Sequence, residues 1–260
     1  MLTSDSRLRG TGLNRRRISA GRGVEAALTK EKGKRMTKET FDLLEGYMQS
    51  CMEDSAHDSA HVYRVLYLAL EIAKEAEEVD RDVLIGACLL HDIGRKEQFE
   101  NPQVCHAQAG SEKAYNFLME QGFSEEYASR VRDCILTHRY RRNNPPRSPE
   151  AEILFDADKL DVCGAVGIAR TLLYKGQVSE PLYSLNPDGT VSDGAGDAGP
   201  SFLQEYRYKL EGIYDRFYTK KGKEMAGKRK EAAASFYRNI LAELQEDHSC
   251  SRSLLEKYCR

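Results

Sequence analysis

The chain has 260 residues, enough for one large domain with a continuous buried core. Its 39 basic and 41 acidic residues leave a net charge of -2, so no global field draws it to nucleic acid or anionic membrane, and small solutes are the expected partners. Nothing approaches the ~18 apolar residues of a membrane span, no secretory signal opens the chain, and seven cysteines without a CxxC pair fit neither a disulfide framework nor a structural zinc site, so the expected compartment is the cytoplasm.

Residues 1–35 carry ten lysines and arginines, few apolar residues and no helical period, and are read as a disordered basic extension. Three readings compete for it: a nucleic-acid arm, an organelle transit sequence, or translated sequence ahead of a true start at Met36. The last is favoured, because an apolar-periodic segment (Phe41, Leu44, Met48) follows at once. Residues 36–176 then read as a catalytic core of helices and short turns without an alternating strand, an all-α bundle. Asp54 or Ser55 caps a helix whose stripe is Val62, Val65, Leu66, Ala69, Ile72, Ala73 and Ala76, with His61 on it. The next follows Asp80, buries Leu84, Ala87 and Leu90, and runs into His91 and Asp92 before Gly94 ends it. A third aligns His106, Gly110, Ala114 and Phe117. A fourth, capped by Ser124, aligns Tyr127, Val131, Ile135 and His138. A fifth starts at Ser148 with Pro149 in the first turn and aligns Leu154, Asp158 and Asp161. Residues 177–200 are expected to be a flexible loop, rich in Gly, Asp and Pro from 184 onward, and a lid role suits that composition. In 201–247 two helices are expected to pack on the core, one carrying Tyr206, Leu210, Ile213, Tyr214 and Phe217, the other running from about Gly222 to Glu246. Residues 248–260 read as a tail.

Five of the six histidines, His57, His61, His91, His106 and His138, fall in one part of the core, four of them on apolar stripes. Buried imidazoles and carboxylates without partners are costly, and one divalent cation would satisfy inward-facing histidines together with Asp92 and Asp158. The mixed nitrogen and oxygen donors suit Mn, Fe, Co or Ni better than Zn or Mg, and open positions in an octahedral shell would admit water and substrate. Taken singly, each of these residues could instead be a satisfied polar group of the core.

HDSAH at 57–61, LLHDIGR at 89–95 and DADKLD at 156–161 resemble the HD superfamily of metal-dependent phosphohydrolases, and the order His, His-Asp, Asp matches. ILTH at 135–138 and GAVGIAR at 164–170 fall where the small bacterial HD-domain hydrolases have them. The resemblance covers roughly Met36 to Leu244. It implies metal ligation by His61, His91, Asp92 and Asp158 and a nucleotide-like phosphate ester or anhydride as substrate, attacked by metal-activated water. Asp92 would take the water's proton, and Arg95, Lys159 and Arg139 would offset phosphate charge. His57 and Asp58 are read as supports for His61 or as helix-start residues, Asp156 and Asp161 as supports behind the ligands or caps. In some superfamily members extra histidines complete a two-metal site, and His106 and His138 take comparable places. One metal is the default, with these two histidines contacting substrate. Two rivals remain: a di-iron oxygenase on the same scaffold, separable by metal stoichiometry and oxygen uptake, and a nucleotide-binding module without turnover. An oligomer is compatible with the Tyr-rich C-terminal helices.

Overall fold

The computed structural model describes residues 35–52, 59–139 and 143–259. The basic extension up to residue 34, the proposed cap at Asp54 or Ser55, His57 and Asp58 lie outside the described residues. The helices are α1 (Lys38–Met52), α2 (Ser59–Ala73), α3 (Arg81–Leu90), α4 (Arg95–Glu100), α5 (His106–Glu120), α6 (Glu125–Thr137), α7 (Pro149–Leu160), α8 (Gly164–Gln177), α9 (Phe202–Glu205) and α10 (Lys220–Tyr258). Among the described residues the only extended pairing is an isolated bridge between Leu185 and Val191. The fold is all-α.

α3 is the central helix. Val83, Leu84, Ala87, Cys88, Leu89 and Leu90 are all buried, and a helix apolar on every side belongs in the middle of a bundle. Each buried leucine contributes about 1.5–3 kcal/mol of transfer free energy. Asp80 starts the helix by accepting from the backbone N–H groups of Asp82 and Val83 at 3.0 and 3.2 Å. α2 and α7 pack on each other and on α3, while α6 packs along α5, α3 and α7. The segment after Leu90 therefore opens inside the core.

That opening is held by glycine. A Cβ on Gly94 would lie 2.3 Å from the His106 carbonyl oxygen and 2.5 Å from the Gly110 nitrogen, so only glycine lets the turn after α3 touch the backbone of α5. The inward stripe of α5 is His106, Gly110, Ala114 and Leu118. Phe117, expected on that stripe, is half-buried and stacks on Tyr47 with ring centroids 3.7 Å apart, while Leu118 enters the core.

The C-terminal part departs from the expected pair of helices. In place of one helix through Phe217 there is the single turn α9, a π-helical turn over Tyr206–Leu210 and a 3-10 turn over Ile213–Asp215. The Glu211 N–H reaches the Tyr206 carbonyl at 2.8 Å, a five-residue step that widens the turn. The wider turn keeps Tyr206 and Leu210 in a second apolar cluster with Ile168, Val191, Phe202, Leu203, Ala233 and Tyr237. Ile213 and Tyr214 meanwhile join the main core. α10 begins at the Thr219 cap and continues through the expected tail to Tyr258. Residues 254–257 (Leu, Leu, Glu, Lys) are good helix formers, and a 2.8 Å hydrogen bond between the Tyr183 hydroxyl and His248 Nε2 ties the preceding loop to this helix. Within the loop, Val191 and Ser192 are buried, and the hydroxyls of Ser184 and Ser192 both donate to Asp197.

Candidate metal centre

Five helix ends deliver the site. His91 caps the C-terminus of α3, with Asp92 next to it. His138 caps the C-terminus of α6. Asp158 lies in the last turn of α7, and His61 and His106 stand in the first turns of α2 and α5. Three C-terminal ends present partly negative carbonyls, which favour a cation, whereas the N-terminal ends at His61 and His106 favour negative charge.

Each imidazole is oriented from behind through Nδ1. His91 Nδ1–H donates to the Cys88 carbonyl at 2.7 Å and His138 Nδ1–H to the Ile135 carbonyl at 2.6 Å. His106 Nδ1–H donates to Gln98 Oε1 at 2.6 Å, and His61 Nδ1–H to Asp161 Oδ2 at 2.7 Å. With the proton fixed on Nδ1, all four Nε2 atoms direct a lone pair into the site. They converge on Asp92 from two sides. His61 and His91 face Oδ2 at 3.5 and 3.7 Å, and His106 and His138 face Oδ1 at 3.6 Å each. His61 Nε2 is also 3.4 Å from Asp158 Oδ1.

Within each pair the lone pairs meet: His61 and His91 Nε2 are 3.3 Å apart, and His106 and His138 Nε2 3.2 Å. Two acceptors at such a separation, with His91 and His138 fully buried and Asp92 2% exposed, need a positive charge between or beside them. Burial draws the His61 imidazole down, but hydrogen bonds to Asp158, Asp161 and Asp92 outweigh it and raise it to about 10. That negative pocket is met by a second proton on Nε2 or by a cation in its place. Burial lowers His91 to about 4, and burial together with the Arg95 charge lowers His106 to about 2. Burial also works against ionised Asp92 and Asp158, yet Arg95 beside the first and Lys159 beside the second hold both carboxyls well below the usual range. The donor set fits a divalent metal, with two trios, His61–His91–Asp92 and Asp92–His106–His138, each close enough to share one.

Arg95 Nε donates to Asp92 Oδ1 at 3.0 Å, and Lys159 Nζ donates to Asp158 Oδ2 at 2.6 Å. Arg95 is 29% exposed, Lys159 15% and Asp158 14%, so these side chains mark the solvent edge of the cluster. Arg139 joins this edge, its Nη1 donating to Cys105 Sγ at 3.7 Å beside His106. Asp156 and Asp161 part company. Asp156 accepts from the Tyr218 and Thr219 backbone N–H groups and the Thr219 hydroxyl at 2.9, 2.7 and 2.6 Å, tying α7 to the start of α10, whereas Asp161 stands behind His61. Sequence reasoning passed over Arg64, Arg170 and Gln98. The first two had a signal: Arg64 follows His61 by three residues on one helix, and Arg170 ends the GAVGIAR segment.

The HD domain family model matches residues 59–163, which hold every residue of both trios. YpgQ from Bacillus subtilis (strain 168), an uncharacterized protein, is 30% identical over 170 residues, 64% of this chain and 74% of YpgQ. The crystal structure of YpgQ in complex with ADP superposes with a TM-score of 0.61 at 27% identity, covering 78% of this chain and 97% of that one. A predicted HD superfamily hydrolase from an uncultured Thermotogales bacterium does so with a TM-score of 0.53 at 29% identity, over 78% and 91% of the two chains. Among the described residues no helix is long and apolar enough to cross a membrane. With the motif order, the helical frame and these matches in agreement, the chain belongs to the HD-domain family and has the fold of an HD-superfamily hydrolase.

Proposed function

We propose that the protein is a metal-dependent phosphohydrolase acting on nucleotide-like phosphate esters or anhydrides. The observation that carries this reading is the trio of His61 Nε2, His91 Nε2 and Asp92 Oδ2, with His61 3.3 and 3.5 Å from the other two and Asp158 Oδ1 3.4 Å from His61. These four residues would hold one divalent cation, with Mn, Fe, Co or Ni better suited to the mixed donors than Mg or Zn. When bound, such an ion supplies Lewis acidity, polarising a phosphoryl oxygen and acidifying water.

The remaining residues place the phosphate and the proton. Arg95, Lys159 and Arg139 form a cationic edge beside the His106 end of α5, where the helix N-terminus also favours an anion. His106 and His138 border that edge as substrate or transition-state contacts. Asp92, kept ionised by Arg95, accepts the proton of the attacking water. ADP in the YpgQ crystal structure supports a nucleotide ligand for a protein of this shape.

A second reading is a two-metal centre in which each trio would hold one ion, favoured by the 3.2 Å approach of His106 and His138 Nε2. Two irons with oxygen uptake and no phosphate release would make that centre an oxygenase. The test is a panel of nucleotides and simple phosphate esters with Mn, Co, Ni or Mg, scored for phosphate release and metal content. Turnover with one metal per chain is expected. Tight nucleotide binding without turnover under every metal would make the protein a binding module instead.

A further inference from the structure

Of the four imidazoles, only His61 is held from behind by a charged group. His91 and His138 donate Nδ1–H to carbonyls of their own helices and His106 to a glutamine amide, but His61 donates to the Asp161 carboxylate. That carboxylate is 1% exposed and is gripped on both oxygens. Arg64 Nε donates to Oδ1 at 2.7 Å and its Nη2 to Oδ2 at 3.2 Å, while Arg170 Nη1 donates to Oδ2 at 2.6 Å. The three residues come from α2, the C-cap of α7 and α8.

The elbow between α7 and α8 brings Arg170 back toward Asp161. Gly164 has φ +68°, a left-handed conformation, and its N–H donates to the Tyr214 hydroxyl at 3.1 Å. A Cβ on Gly167 would lie 2.2 Å from the Val162 carbonyl carbon, so glycine lets α8 lie against the elbow. Arg170 follows one turn later on α8. The GAVGIAR segment thus has a structural purpose at the metal centre although none of its residues faces the ligand atoms of Asp92.

We infer that Asp161, clamped by Arg64 and Arg170, is the positioning device of His61, fixing its tautomer and ring orientation and strengthening its Nε2 as a donor to the cation. The two guanidiniums keep the buried carboxylate ionised and fix its direction, and the ionised carboxylate holds the Nδ1 proton. This inference rests on the reading of His61 as a metal ligand.

Mn²⁺ titration of the full chain by calorimetry, together with the melting temperature of the metal-free protein, tests it. His61→Ala establishes the underlying reading: binding should be lost, and if His61→Ala binds Mn²⁺ like the intact chain, the reading and the inference fall together. Given that loss, Asp161→Asn, which keeps an acceptor but removes the charge, should weaken Mn²⁺ about 10- to 100-fold. Arg170→Met should weaken it less, and Arg170→Lys should recover part of that loss. Because Asp161 is buried, Arg170→Met at the half-exposed position serves should Asp161→Asn fail to fold. Unchanged Mn²⁺ affinity in the folded Asp161→Asn and Arg170→Met variants, with only the melting temperature lowered, would overturn the inference while leaving His61 a ligand.

Discussion

On one side of Asp92, His61 and His91 face Oδ2 with the Asp158 carboxylate beside them and Asp161 behind. On the other, His106 and His138 face Oδ1, which already takes a hydrogen bond from Arg95. The residue types nearly match, but the surrounding charge does not. The first side gathers negative charge, which suits the proposed cation. The second, with Arg95, Arg139 and the N-terminus of α5 at hand, can accept the negative charge of a phosphate. Two histidines and a carboxylate oxygen do not by themselves define a metal position; what stands behind and beside them decides.

The largest expected contrast comes from exchanging ligands across Asp92. His91→Ala should abolish both metal retention and phosphate release. His106→Ala should retain the metal while losing turnover, measured by metal content and phosphate assay on the same preparation. Equal metal loss in both variants would erase the contrast and support a bridged pair of ions.

Next in size are the cations at the edge. Losing a charge-assisted contact to substrate phosphate costs about 1.5–3 kcal/mol, so Arg95→Met or Lys159→Met should raise KM roughly 10- to 100-fold. Unchanged KM with an altered metal affinity would place these cations in service of the ligand carboxylates alone.

Gly94→Ala probes how the second side is mounted. The added methyl meets the backbone of His106 and Gly110, and overpacking of this kind costs about 1–3 kcal/mol. A lowered melting temperature is expected, with turnover falling further than metal affinity because α5 carries His106. The smallest effect on the centre should come from Asp156→Ala. It removes three hydrogen bonds that tie α7 to α10 and should lower stability by about 2 kcal/mol with metal affinity intact. A matching loss of metal would mean that α10 helps set the position of Asp158.

Much of this was legible in the sequence because periodicity and motif order act locally. The stripe of α2 carried His61 inward, the apolar run of α3 carried His91 and Asp92 into the core, and Ser124 and Ser148 marked helix starts that the structure has. What periodicity could not give was contact between distant segments. Nothing within α7 distinguishes Asp156, which leaves the site for Thr219, from Asp161, which supports His61. The π-helical turn at Tyr206 arises from packing in the second apolar cluster, and an ideal helical count reads through it. The one-residue shift from Phe117 to Leu118 has a similar origin: Phe117 meets Tyr47, a partner seventy residues away.

The most direct test of the centre is metal analysis with product identification on the intact chain beside Asp92→Ala, the residue that all four imidazoles face. The intact protein should carry a transition metal and release phosphate or pyrophosphate from a nucleotide, and Asp92→Ala should do neither while staying folded. If Asp92→Ala keeps both its metal and its activity, the centre lies elsewhere.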